Sequence, residues 1–133
     1  MTRKILAVAA GLAIWFIVTA IAGFILRAAW PAYVQVADAM TFTLAMQITR
    51  LGIGALATIA AGLVTAHITR SPVVGLIPGI LLLALFIPQH VMLWDKFPLW
   101  YHLTFLVSLV PLTYLGNRMA CAAVGKDAVA RHV

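Results

Sequence analysis

The sequence predicts an all-α integral membrane protein, a bundle of four transmembrane helices. Three observations lead there. Hydrophobic residues make up 65% of the chain and charged residues 9%, against roughly 45–50% and 25% in soluble domains. A soluble domain of 133 residues cannot hide so much apolar surface, because small domains bury only about two-thirds of what their unfolded chains expose. The apolar residues also fall into four long runs, separated by short clusters of charge, proline and interfacial aromatics, the pattern of successive membrane crossings.

The first run, Ile5–Leu26, is 22 residues without a charge. At 1.5 Å per residue it makes about 33 Å of helix, enough for a hydrocarbon core of about 30 Å. Arg3 and Lys4 ahead of it give the look of a signal peptide. A signal's apolar region is about 7–15 residues long, so a retained helix is expected. Arg27, Trp30, Pro31 and Tyr33 then mark an interface and a turn. The second run, Ala37–Ile68, would make about 48 Å of helix, too long for a perpendicular crossing. Asp38–Thr49 is expected at or above the interface, or the helix tilts, and Leu51–Ile68 is the embedded part. Pro72 disfavours helix at Ser71 and closes the run.

The third run, Val73–Trp94, contains Pro78 and Pro88, both expected to kink it. Asp95-Lys96-Phe97-Pro98 is a tight turn, and Leu99–Ala120, with Pro111 inside, is the fourth run. Residues 121–133 read as a short basic tail. No repeat or linker divides the chain, so one domain over 1–133 is expected. Helix two is expected at the centre, helices three and four as a hairpin, and helices one and four more towards lipid.

Orientation follows from Lys and Arg. Arg3, Lys4, Arg70, Arg118, Lys126 and Arg131 fall on one side of this topology, and only Arg27 and Lys96 on the other. Both termini are therefore expected in the cytoplasm, in the cell membrane, which is the inner membrane if the source is bacterial. The net charge of +6 is scattered between apolar runs. It points to anionic lipid rather than nucleic acid as the charged partner.

The chemistry of many enzymes and pumps is missing. The acidic residues, Asp38, Asp95 and Asp127, lie in loops or tail. The sequence thus lacks an intramembrane carboxylate for proton coupling and a carboxylate pair for acid–base work. Neither a Gly-x-Ser-x-Gly elbow nor a glycine-rich phosphate loop is present. The one cysteine, Cys121, has no metal-ligand spacing. A non-enzymatic protein without a cofactor is expected.

Two constellations stand out. On helix two, Thr43, Gln47, Arg50, Gly54, Thr58, Gly62 and Thr65 recur at spacings of three and four, which is one helical face. Small residues at this spacing let helices approach closely, and Gly75-xxx-Gly79 offers a counterpart on helix three. Arg50 is the one ionised group in that face. It suits an anion, a lipid headgroup or a pore lining, or it reaches for the interface. The second constellation flanks the last turn. His90 and His102 lie six residues either side of Lys96, hence at similar depth, with Asp95 between them. Two imidazoles so placed suit proton relay, haem iron or a divalent metal, although Trp, Tyr and His also gather at membrane interfaces without further purpose.

Function is therefore expected to be that of a small non-enzymatic accessory subunit, associated with a larger membrane complex or a homo-oligomer. The alternatives are a small oligomeric channel or transporter using the Arg50 face, and a haem- or metal-binding protein using His90 and His102. Length and helix number are similar to those of small multidrug transporters, but the glutamate which that family requires in its first helix is absent.

Overall fold

The computed structural model describes residues 1–130. Arg131, and the side chains of Lys126 and Asp127, lie outside the described set. Five α-helices follow one another with no strand among the described residues: α1 (Thr2–Ala29), α2 (Pro31–Ala37), α3 (Leu44–Thr69), α4 (Ile77–Met92) and α5 (Leu99–Ala130). Four stretches, Thr2–Ala29, Leu44–Thr69, Val74–Met92 and Leu99–Ala123, are long and apolar enough to cross a membrane.

Local chemistry sets the boundaries. Trp30 precedes a proline and leaves helical conformation, with ψ 85°, as the clash with a following proline ring favours. Pro31 then starts α2, where its missing N–H is not needed. Met40 takes a left-handed backbone (φ 55°) and breaks any continuation. Thr43, extended at ψ 164°, accepts a hydrogen bond from the Met46 N–H and caps α3. The long second run thus becomes a seven-residue helix, a turn and a 26-residue helix, and α3 starts at Leu44 rather than Ala37. Arg70 closes α3 in the left-handed region (φ 53°), its N–H bonded to the Ala66 carbonyl. The Arg3 guanidinium covers the adjoining Ile68 carbonyl, with Nε at 3.0 Å.

Pro78 lies in the first turn of α4, after a 3-10 turn over Val74–Leu76, where proline is tolerated and kinks nothing. Pro88 and Pro111 are true helix-interior prolines. The stretch read as a tail is helical, since α5 continues to Ala130.

α3 is the centre of the bundle, as expected, packing most extensively on α5 and α1. The partners differ from expectation. α5 is an inner helix, with Leu109, His102, Thr113 and Asn117 at 1% exposure or less, whereas α1 buries only Ala7, Gly11 and Trp15. The reason is backbone proximity. A Cβ at Gly116 would lie 2.0 Å from the Ile59 carbonyl oxygen, and one at Gly62 2.1 Å from that of Thr113, so α3 and α5 meet main chain to main chain. Gly75 and Gly79 face Asn117 and Thr113 of α5 rather than α3. The apolar core is Trp15, Ala57, Ala61, Leu82 and Leu109, with Phe86 and Phe105 packed against it.

Candidate binding cavity

α1 is held to the bundle along one half only. Gly11 sits against Thr65, the Ala61 carbonyl and Pro78, and Trp15 is 6% exposed. Beyond Trp15 no residue of α1 is buried, and nothing lies within 4 Å of where a Gly23 Cβ would be. The helix therefore leaves a cavity of about 310 Å³ at the end of the bundle opposite the termini. Trp15, Thr19, Gly23 and Leu26 form the α1 wall. Tyr33 comes from α2, Arg50, Ile53 and Gly54 from α3, and Phe86, Gln89, His90 and Leu93 from α4. Phe97, Tyr101, His102 and Phe105 complete the lining. The volume falls at the lower end of the range of small-molecule sites, about 300–1,000 Å³.

Besides Thr19 and Gln89, two polar clusters face this space. The first is Arg50, half-buried on α3. Its Nη1 donates to the Tyr33 hydroxyl and its Nε donates to the Tyr101 hydroxyl at 3.4 Å. Its guanidinium carbon lies 4.7 Å from the Phe42 ring centre and 5.9 Å from that of Phe97, where the ring quadrupole attracts a cation. An arginine carries five N–H donors. Two are used, and three remain. Each tyrosine hydroxyl accepts from Arg50 and donates to no described residue. Among the described residues, no carboxylate lines the cavity. The Arg50 end is thus a cluster of hydrogen-bond donors around a cation whose charge no described side chain neutralises.

The second is the histidine pair. His90 Nδ1 and His102 Nδ1 are 2.7 Å apart, with the rings nearly perpendicular at 79°. His90 stacks on Phe105 at 4.8 Å and His102 on Trp94 at 4.9 Å. His102 Nε2 faces the Trp94 carbonyl oxygen at 3.4 Å.

The other expected residues serve structure. Thr43 caps α3, and Gln47 Nε2 donates to the Phe42 carbonyl, bracing the preceding turn. Thr58 is fully buried, accepts from the Trp15 indole N–H at 3.0 Å and donates to the Gly54 carbonyl. Thr65 donates to the Ala61 carbonyl and meets the Ala7 carbonyl across the α1 contact. The face read on helix two therefore divides: beyond Gly54 it is a packing seam, while Arg50 and Gly54 border the cavity. Asp95 is exposed in the turn and is not part of the lining. The two histidines do meet, but as partners in a hydrogen bond. The described residues bring no group of three His, Cys, Asp or Glu side chains together.

Tyr33 and the α1 wall went unread in the sequence, where Tyr33 looked like a generic interfacial aromatic. A signal existed. Trp15, Thr19, Gly23 and Leu26 follow one another at spacings of four, four and three, the same rule that exposed the face of α3. No protein-family model, curated protein or solved structure matches the chain.

Proposed function

We propose that this is a non-enzymatic, multi-pass protein of the cell membrane, with both termini cytoplasmic, whose cavity binds an anionic amphiphile through Arg50. The observation that carries the reading is the uncompensated guanidinium. Three free N–H groups and two tyrosine hydroxyls converge where no carboxylate of the described residues lines the wall. A charge in a low-dielectric site is costly without a partner, and an oxyanion from outside the chain supplies one. The aromatic walls of Trp15, Phe86 and Phe105 accept the apolar part of the same molecule. In a larger assembly or a homo-oligomer, this chain is then the ligand-holding subunit.

Binding is favoured over conduction by the fate of the polar face. Between Gly54 and Thr65 it is closed by Phe105, by the Thr113 backbone and by α1, so no path continues along it within one copy. The orientation rests on Arg3, Lys4, Arg70 and Arg118 at the end that holds the termini, opposite the cavity.

The test is native mass spectrometry of the purified protein with defined lipids. Phosphatidylglycerol should bind in preference to zwitterionic phosphatidylcholine. Arg50→Gln should weaken the anionic lipid by about 10-fold or more, the worth of a charge-assisted hydrogen bond. Equal binding of both lipids, or an Arg50→Gln protein that binds like the wild type, would overturn the reading.

A further inference from the structure

The hydrogen-bond direction in the histidine pair can be worked out from one fixed point. A carbonyl oxygen only accepts, so the Trp94 oxygen facing His102 Nε2 calls for the proton on that nitrogen. In a neutral imidazole the other nitrogen then carries a lone pair. His102 Nδ1 is therefore an acceptor, and the proton between the two rings belongs to His90 Nδ1, 2.7 Å away. His90 Nε2 is left with a lone pair. The opposite direction would set a lone pair of His102 against the Trp94 oxygen.

That lone pair has no donor among the described residues. His90 is buried, at 8% exposure, and one ring face lies on Phe105. No fully enclosed side-chain nitrogen or oxygen in the described residues lacks a partner. Nε2 therefore still meets open space, and His90 lines the cavity. An acceptor on a buried ring that finds no donor in the protein is left for a ligand or solvent to satisfy. The cavity thus has two opposite demands: Arg50 and the hydroxyl protons of the two tyrosines offer donors, while His90 asks for one.

We propose that the occupant is an anionic amphiphile with a free hydroxyl close to its charge. Its oxyanion sits at Arg50, Tyr33 and Tyr101, and its hydroxyl donates to His90 Nε2. His102 is a positioning residue that fixes which nitrogen of His90 faces the ligand. Tyr101 ties the two ends together, since its hydroxyl meets Arg50 and its ring faces that of His90 at 6.2 Å. Hydroxylated phosphate esters have this chemistry, either as the diester headgroup of a glycerophospholipid or as the monoester of a free glycerol phosphate. The inference rests on the Arg50 reading above and extends it to the headgroup.

Three probes separate the possibilities: phosphatidylglycerol, phosphatidylmethanol (equal charge, no hydroxyl) and glycerol 1-phosphate (charge and hydroxyl, no acyl chains). Wild-type protein should bind phosphatidylglycerol roughly 5- to 10-fold tighter than phosphatidylmethanol, the value of one hydrogen bond to a buried group. His90→Phe should lose the preference, binding phosphatidylglycerol no tighter than phosphatidylmethanol. His90→Gln, whose amide oxygen accepts, should keep part of the preference and guards against a misfolded His90→Phe. Competition by glycerol 1-phosphate that His90→Phe abolishes supports the same site with a soluble occupant. Equal wild-type affinity for the two lipids, or a preference that survives His90→Phe, overturns the proposal. If Arg50→Gln then still weakens both lipids, the Arg50 reading stands alone. If Arg50→Gln weakens neither, that reading falls with it.

Discussion

Arg50 is held between two phenol oxygens and two aromatic faces, a fit that depends on a planar, forked donor. Lysine is a compact point charge with three donors, so Arg50→Lys should bind anionic lipid more weakly than wild type even though the charge is kept. Tyr33→Phe should lower that affinity by roughly fivefold, since one hydrogen bond of about 1 kcal/mol is lost. Lipid titration followed by native mass spectrometry measures both. A different buried hydrogen bond holds the wall itself. Trp15→Phe removes the indole donor to Thr58 and should lower stability by about 1–2 kcal/mol, seen as a fall in the thermal unfolding midpoint in detergent. No fall would mean that the bond contributes nothing. Arg50, His90 and His102 were legible as residues because charge and imidazole are rare in apolar runs. Their partners were not. Tyr33 and Tyr101 look like the aromatics of any membrane interface, and only the fold brings one from α2 and the other from α5 to the same guanidinium.

The helices were legible because their boundaries have local causes, and pairing was not because its cause is distant. The apolar runs and the 95–98 turn follow from composition and proline. The break before α3 depends on Met40 accepting a left-handed backbone, which no sequence pattern advertises for methionine. The stripe of small residues on α3 announced a close contact without naming the partner. Gly116 on α5 supplies it, seated on the Ile59 carbonyl. Two glycine substitutions separate packing from function. Gly116→Ala forces a Cβ against backbone and should cost about 1–3 kcal/mol, the usual penalty of overpacking. Gly23 has open space beside it and lines the cavity. Gly23→Leu should leave the unfolding midpoint within a few degrees, or raise it through better helix propensity worth about 1 kcal/mol, while filling the cavity and weakening lipid binding. If both variants unfold at the wild-type temperature, the α3–α5 contact is looser than described.

At the scale of the whole molecule, polar chemistry is distributed unevenly along the bundle. One end is closed by glycine seams and by Asn117, which donates to the Pro72 carbonyl at 2.7 Å. The other end is open enough to hold a ligand. The excess of Lys and Arg at the closed end makes orientation testable. A reporter fused after Val133 should be active only in the cytoplasm, and one inserted between Asp95 and Lys96 only outside. The reverse pattern would place the cavity on the cytoplasmic side and remove the orientation argument. The coupled imidazoles have a bearing on transport as well. A proton wire needs an exit as well as an entrance. A proton taken up at His90 Nε2 can push the shared proton onto His102, whose outer nitrogen faces, among the described residues, only a peptide carbonyl, which does not carry protons onward. The route stops after two rings. On the proposed reading, the histidines would then serve recognition without becoming a leak.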